Sequence, residues 1–347
     1  MIKLAIIGTG GMANVHAEKF TEIKGCKVTA ACDVDAERVG VFAKKHKIGQ
    51  TFIDLDELFK SGDFDAVANV TPDRFHASIS LQALEHGKHV LCEKPLAVHY
   101  PDAAKMALAA EKAGVIHMVN FSYRNSSAIQ KAHKLVSAGA LGRIIHVEGS
   151  YLQSWLSQNA WGDWRTSPGW LWRLSTSHGS KGVLGDVGVH LLDFASFPVG
   201  AMTSIDCTLH TFAKAPEDKV GDYVLDANDS AIITVRYEGG ALGSLRATRW
   251  ATGHHNSISL SLFGEEGALK IDLDKSYKDL EICKVKNRAA GAWITLPCGE
   301  SPSIYQRFIT SIKKGVNDQP DFARGAAIQK ALDACEQSHL ESRTVSL

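Results

Sequence analysis

Apolar residues in the first third of the chain come in short runs, each ending in glycine or a polar residue and followed by helical spacing. Residues 3–7 read as a first strand, Gly8-Thr9-Gly10-Gly11-Met12-Ala13 follows at once, and a helical pattern then runs to about residue 23. A second run over 28–32 ends at Asp33, and the next helix covers about 36–45. Residues 65–70 form another buried strand, from which Thr71-Pro72-Asp73 turns into a helix over 76–86 with Gly87 as its cap. Residues 90–92 lead straight into Glu93-Lys94-Pro95. Pro101 stands at the first position of an Ala-rich helix ending at Ala113, and a strand over 115–121 carries Asn120 near its carboxyl end. Strands alternating with helices of this length predict an α/β fold, a doubly wound parallel sheet over residues 1–121.

From Tyr123 the rhythm changes. A helix over 128–137 and an alternating strand over 143–151 precede a segment, 153–172, that holds Trp155, Trp161, Trp164 and Trp170 among turn residues. Those rings suit either the apolar face of a ligand or a satellite hydrophobic cluster. Gly185-Asp186-Val187-Gly188-Val189-His190-Leu191-Leu192-Asp193 reads as a helix from Asp186, which puts residues 186, 190 and 193 on one face. Residues 204–212, 230–237, 242–250 and 257–263 alternate apolar with polar and are separated by turn chemistry, so residues 122–347 are expected to build an α+β domain on a large, mostly antiparallel open sheet. Helices over 304–314 and 326–338 close the chain.

Composition narrows the partners. Lysine and arginine total 38 and so do aspartate and glutamate, with no basic block, so neither nucleic acid nor an anionic membrane is expected. The N-terminal residues lack the pattern of a signal peptide, and no apolar run reaches the roughly 20 residues that span a bilayer. Seven scattered cysteines without a C-x-x-C pair fit reduced thiols in a cytoplasmic protein. The histidines show no zinc-type spacing, so no metal is expected.

The candidate chemistry lies at strand ends. Gly8, Gly10 and Ala13 fit G-x-G-x-x-[GA] between a strand and a helix: Gly8 allows the tight turn, Gly10 lets backbone approach a pyrophosphate, and the helix N-terminus offers N–H groups to phosphate. Asp33 can accept both ribose hydroxyls and repels a 2′-phosphate, which favours NAD over NADP; its alternative role is a helix N-cap. Arg38 can stack on adenine or bind that phosphate. Glu93 and Lys94 fall at the carboxyl end of a parallel strand, where such sheets bind ligands. His190 is suited to take a hydroxyl proton, with Asp186 to orient it or the substrate; Asp193 is read as structural.

GTGGMA, TPDRFH, EKP and GDVGVHLLD, in this order, resemble the glucose–fructose oxidoreductase/inositol dehydrogenase/rhizopine catabolism (Gfo/Idh/MocA) family over nearly the whole chain. The resemblance implies an N-terminal Rossmann domain, a C-terminal sheet that joins copies as a homodimer or homotetramer, and NAD(P)-dependent hydride transfer to or from a ring carbon of a sugar, anhydrosugar or inositol-type polyol. Position by position it implies Lys94, Asp186 and His190 as catalytic. Gly8, Thr9, Gly10, Gly11, Met12, Asp33, Arg38, Thr71, Pro72, His76, Glu93, Lys94 and Asn120 fall on cofactor-contacting positions. Trp172 and Arg173 look like a segment that reaches the nicotinamide end in the family's anhydrofructose reductases, and Tyr305 is assigned a similar contact. Likeness to levoglucosan dehydrogenases implies a substrate pocket lined by Tyr123, Gln153 and Trp155 together with Lys94, Arg173, Asp186 and His190. Two other activities stay open: an NAD-sensing regulator, which the retention of Lys94, Asp186 and His190 argues against, and an NAD-dependent glycosidase that returns the hydride.

Overall fold

The computed structural model describes residues 1–159 and 161–347. The chain folds as two compact units, the first of Met1–Ser122 with Pro302–Gln329, the second of Tyr123–Ser301 with Lys330–Leu347.

In the first unit, strand β1 (Ile2–Ile7) and helix α1 (Gly11–Thr21) are followed by β2 (Cys26–Cys32), α2 (Ala36–His46), β3 (Gln50–Phe52), α3 (Leu55–Ser61), β4 (Ala66–Asn69), α4 (His76–Glu85), β5 (His89–Cys92), α5 (Tyr100–Ala113) and β6 (His117–Val119). Every pairing is parallel and the order is β3-β2-β1-β4-β5-β6. The order reverses direction at β1, which lies between β2 and β4, and that is where a sheet of this kind leaves a crevice for a ligand. β4 is buried at all four residues, and its first three, Ala66 to Ala68, are the apolar run that a strand covered on both faces requires. β3 and α3 are additions to the expected elements; a three-residue strand is too short for periodicity to reveal.

The contiguous boundary at residue 121 needs one amendment. Helix Ile304–Lys314 packs in the first unit, where Ile304, Tyr305, Phe308 and Ile309 join the core of Leu4, Ala13, Ala17 and Phe20. Tyr305 meets Phe20 edge-on at 5.2 Å. The amphipathic face was visible in the sequence, but periodicity does not say which sheet such a face covers.

The second unit holds α6 (Ser127–Ser137), β7 (Ile144–Gln153), a short helix α7 (Pro168–Leu171), α8 (Val189–Val199), β8 (Met202–His210) and a small ribbon of β9 (Lys219–Val220) and β10 (Tyr223–Val224). Strands β11 (Ser230–Tyr237), β12 (Leu242–Thr248), β13 (Asn256–Gly264), β14 (Gly267–Asp272), β15 (Asp279–Lys284), β16 (Ile294–Pro297) and β17 (Val345–Ser346) complete it. The nine-stranded sheet runs β16-β15-β14-β13-β7-β12-β11-β8-β17, antiparallel except for the pair β7 and β12. Along β11, Ala231, Ile233, Val235 and Tyr237 are buried while Ile232, Thr234 and Arg236 face outward. Helix Phe322–Glu341 begins in the first unit and ends in the second.

Asp186 does not open an α-helix as its spacing suggested. Leu184–Gly188 is a single π-helical turn, and α8 starts behind it at Val189. A π-turn inserts a residue into the helical repeat and so rotates Asp186 relative to His190 and Asp193.

Candidate active site

At the end of β1 the backbone must turn within one residue. Gly8 has φ +85°, and a Cβ there would stand 2.7 Å from the carbonyl oxygen of Val70. Glycine is therefore demanded by the approach of β4. Gly10 is different: among the described residues nothing lies within 4 Å of a Cβ built on it, and it precedes α1 without any side-chain cap. The first N–H groups of α1 are thus left for an anion. Gly11 and Met12, in the first turn of α1, are exposed. At the end of β2, Asp33 Oδ2 accepts from Thr9 N–H (2.7 Å) and Thr9 Oγ1 (2.8 Å), and Arg38 spans both carboxylate oxygens at 2.5 and 3.1 Å. Burial works against this charge, but the Arg38 fork and the Thr9 and Asp35 donors hold the carboxyl well below the usual carboxylate range. Asp35, not Asp33, caps α2 by accepting from Arg38 N–H at 2.9 Å. A cavity of about 300 Å³ adjoins this corner, lined by Thr9, Asn14, Asp35, Arg38, Phe42 and Lys45 among others.

The ends of β4, β5 and β6 carry a second cluster. Glu93 is buried and its Oε1 lies 2.8 Å from His16 Nε2 and accepts from Asn120 Nδ2 at 2.6 Å. Asn120 Nδ2 also lies 3.3 Å from the Tyr305 hydroxyl, and Tyr305 meets the His16 ring edge-on at 5.1 Å. Burial would raise the Glu93 pKa, but the hydrogen bond and charge of His16, the charge of Lys94 and the Asn120 donor bring it down to about 2. Among the described residues, His16 Nδ1 and Asn120 Oδ1 are buried without a hydrogen-bond partner, so an acceptor waits here for a donor that a bound group can supply. This orphaned amide oxygen, the open backbone at Gly10 and the uncapped α1 together fit a dinucleotide. His76 joins two of the turns: its Nδ1 is 2.7 Å from the Pro95 carbonyl and its Nε2 is 2.9 Å from the Thr71 carbonyl. Only a doubly protonated ring donates to both. Burial opposes that charge, while Cys92, Asp73 and the Pro95 carbonyl raise the His76 pKa to about 10. Thr71 Oγ1 donates to Asn69 at 2.7 Å and Pro72 is exposed. Lys94 is half-buried, with its N–H donating to Glu93 Oε2 at 3.1 Å, and the Lys94–Pro95 peptide is cis.

In the second unit, Asp186 Oδ2 accepts from Arg249 Nη2 at 3.1 Å and stands 3.8 Å from Arg173 Nε. Arg249 is completely buried; it also donates to the carbonyls of Arg173 (3.0 Å) and Gly182 (3.3 Å) and lies over the Trp155 ring. Arg173 lies over the rings of Trp170 and Trp172, of which Trp172 is 40% exposed. Asp193 turns elsewhere: it receives a two-pronged bond from Arg124 at 2.6 and 2.7 Å, both side chains being 2% exposed. His190 is buried, with the edge of Tyr123 against it at 4.9 Å. The Tyr123 hydroxyl bonds that of Tyr151, and Asn256 Oδ1 accepts from Tyr151 (2.9 Å) and Gln153 Nε2 (2.8 Å) while its Nδ2 donates to Tyr123 (2.9 Å). Trp155 Nε1 donates to Gln153 Oε1 at 3.0 Å. Its ring is packed with Leu156, Trp164, Leu171, Leu174 and Leu225, so Trp155 and Trp164 belong to a satellite hydrophobic cluster, whereas Trp161 stacks on Trp170.

The expected residues thus assemble in groups. Gly8, Thr9, Asp33 and Arg38 form one; Thr71 and His76 a second; Glu93, Asn120 and Tyr305 a third; and Tyr123, Gln153, Trp155, Arg173, Asp186 and His190 a fourth. The cooperation of Lys94 with Asp186 and His190, and the contact of Trp172 and Arg173 with nicotinamide, join residues of different units and belong to the proposal below. Three participants escaped the sequence: His16, Arg249 and Asn256. A polar residue at a buried position of α1 was the available sign for His16, since α1 otherwise buries Ala13, Ala17 and Phe20. Arg249 and Asn256 stand at strand ends, where polarity is unremarkable.

Residues 2–121 match a family model described as an oxidoreductase family with an NAD-binding Rossmann fold, and residues 129–270 match the GFO/IDH/MocA C-terminal domain. A levoglucosan dehydrogenase of Pseudarthrobacter phenanthrenivorans is 27% identical over 97% of this chain and 96% of its own length. Among solved structures, an oxidoreductase domain protein from Kribbella flavida superposes with a TM-score of 0.89 at 30% identity, covering 99% of this chain and 98% of that one. A levoglucosan dehydrogenase in complex with NADH and L-sorbose gives 0.88 at 26% identity, covering 99% and 98%.

Proposed function

The chain belongs to the Gfo/Idh/MocA family of NAD-binding oxidoreductases, and from that membership we propose that it moves a hydride reversibly between NAD and a ring carbon bearing a hydroxyl in a sugar, anhydrosugar or inositol-type polyol. The observation that carries this reading is the grouping in one unit of a carboxylate, an imidazole and a hydrogen-bonded set of tyrosine and amide side chains around Asp186, His190, Tyr123 and Asn256. Alternating donors and acceptors of this kind suit a polyhydroxylated ring, and the levoglucosan dehydrogenase relatives support it.

NAD, when bound, supplies the carbon that accepts the hydride. His190 takes the hydroxyl proton at a ring nitrogen. Lys94 donates from Nζ to the oxygen as negative charge develops there, which lowers the cost of losing the proton. Asp186, held by the buried Arg249, orients the substrate or His190. Glu93, Asn120 and Tyr305 position the cofactor, and Asp33 with Arg38 takes the adenosine end. NAD is preferred to NADP because a 2′-phosphate would be repelled by Asp33, which is already paired with Arg38.

Incubating the protein with NAD and a panel of pyranoses, anhydrosugars, inositols and aryl glycosides, while following NADH absorbance and aglycone release, tests this. NADH without aglycone release is expected. Replacing Lys94 by Ala should lower kcat at least ~100-fold, and undiminished turnover in that variant refutes its role. The outward residues of the nine-stranded sheet, including Ile232 at 65% exposure, support assembly of copies through that face as a homodimer or homotetramer; a monomer by light scattering refutes it. Seven free cysteines support a reducing, cytoplasmic setting, which cell fractionation tests.

A further inference from the structure

The hydrogen bonds beside His190 have a direction that one side chain imposes. An indole N–H only donates. The atom of Gln153 facing Trp155 Nε1 at 3.0 Å must therefore be its oxygen, so its amide nitrogen faces Asn256. Asn256 must meet that nitrogen with its own oxygen, which also lies 2.9 Å from the Tyr151 hydroxyl, and Tyr151 accordingly spends its proton on Asn256. The amide nitrogen of Asn256 is left facing Tyr123, to which it donates at 2.9 Å. Since Tyr151 has no proton left, the bond between the two hydroxyls is donated by Tyr123. Each tyrosine has then used its proton and received one, and each keeps a single lone pair. Burial raises the Tyr123 pKa to about 12 and carries that of Tyr151 well above its ordinary value, with the charge of Asp186 adding to both, so the phenols keep the protons this count assigns them.

We propose that Asn256 is a positioning residue which, with its polarity set by Trp155, turns the Tyr123–Tyr151 pair into an acceptor-only surface that selects substrate by a hydroxyl proton donated to it. The inference deepens the sugar-oxidoreductase reading and rests on it. A substrate position facing this pair must carry a donor; an acceptor there gains nothing.

Levoglucosan and its monodeoxy and monodeoxyfluoro derivatives, assayed with NAD, separate the two properties, because fluorine accepts weakly and cannot donate. At one ring position other than the reacting carbon, both the deoxy and the fluoro compound should lose kcat/KM by at least about 10-fold, the scale of an unmet buried polar group, and by similar factors. In Asn256→Ala, which removes an exposed side chain, the tyrosine protons are released, so the fluoro compound should gain on the deoxy compound at that position, with the loss for levoglucosan falling on KM more than on kcat. An unchanged NAD affinity in this variant marks the fold as intact. A fluoro compound that retains activity at every position, or a fluoro-to-deoxy ratio unmoved by Asn256→Ala, overturns the inference while leaving the oxidoreductase reading standing. If levoglucosan is not oxidised, the same comparison is made with whichever pyranose of the panel produces NADH, and failure of the whole panel removes the reading together with its extension.

Discussion

Asp193 shares a motif with Asp186 and His190, yet its geometry assigns it to stability rather than chemistry. The perturbation is Asp193→Asn, which keeps the shape and removes the charge. Arg124 is 2% exposed and donates two short bonds, 2.6 and 2.7 Å, to this one carboxylate. Its guanidinium also lies over the ring of Phe197, on α8, at 4.0 Å. Removing the charge of one partner of such a buried pair costs about 3–5 kcal/mol. For a unit of this size each kcal/mol lowers Tm by about 2–4 °C, so the variant should melt about 6–20 °C below the parent. Calorimetry or a dye-based melt measures this directly, and steady-state kinetics at about 25 °C, far below either transition, should show kcat within about 2-fold of the parent. The double replacement Arg124→Met with Asp193→Leu removes both charges and should recover much of the loss. An Asp193→Asn variant that melts with the parent but loses about 100-fold or more in kcat would refute the assignment and move Asp193 into the catalytic set.

The two motif glycines should separate stability from binding. Gly8→Ala meets both a φ of +85° and the Val70 carbonyl at 2.7 Å, so it should cost about 1–3 kcal/mol in a urea titration even without NAD. Gly10→Ala meets nothing within 4 Å and should leave the urea midpoint unchanged while weakening NAD in calorimetric titration; equal effects of both on stability would contradict this division. Acid should act through Glu93. Its carboxyl is held at about 2 in the fold, below its ordinary 4.5, so its contribution is complete above the latter value and is lost as pH falls through the former. The gap in urea midpoint between the parent and Glu93→Gln should narrow steadily below about pH 4.5, and a gap independent of pH would show that Glu93 is not ionised in the fold.

Much of the site was readable because its chemistry sits where local rules place it. A glycine turn between a strand and a helix, a carboxylate at the end of β2 and a charged pair at the end of β5 are all consequences of a parallel sheet presenting its strand ends to one edge. What resisted reading was whatever depends on partners distant in sequence. His16 and Glu93 are 77 residues apart, Arg249 and Asp186 are 63, and Asn256 reaches Tyr123 across 133. Local spacing also misjudged Asp186, because one π-turn changes which residues share a face.

Hydrophobic periodicity and turn residues by themselves determined the alternation of strands and helices, the dinucleotide turn and the change of architecture after Tyr123, since each follows from contacts within a few residues, and the alternation in turn implies a parallel sheet because a helix between two strands carries the chain back to start the next strand in the same direction. Tertiary structure alone decided that helix Ile304–Lys314 returns to the first unit, that Asp193 is spent on Arg124 while Asp186 is held by Arg249, and that an indole N–H directs a chain of hydrogen bonds ending at Tyr123. The physical reason is common to all three. An amphipathic face, a carboxylate and an amide each state what they need, and only packing states which of several suitable partners is near enough to meet it.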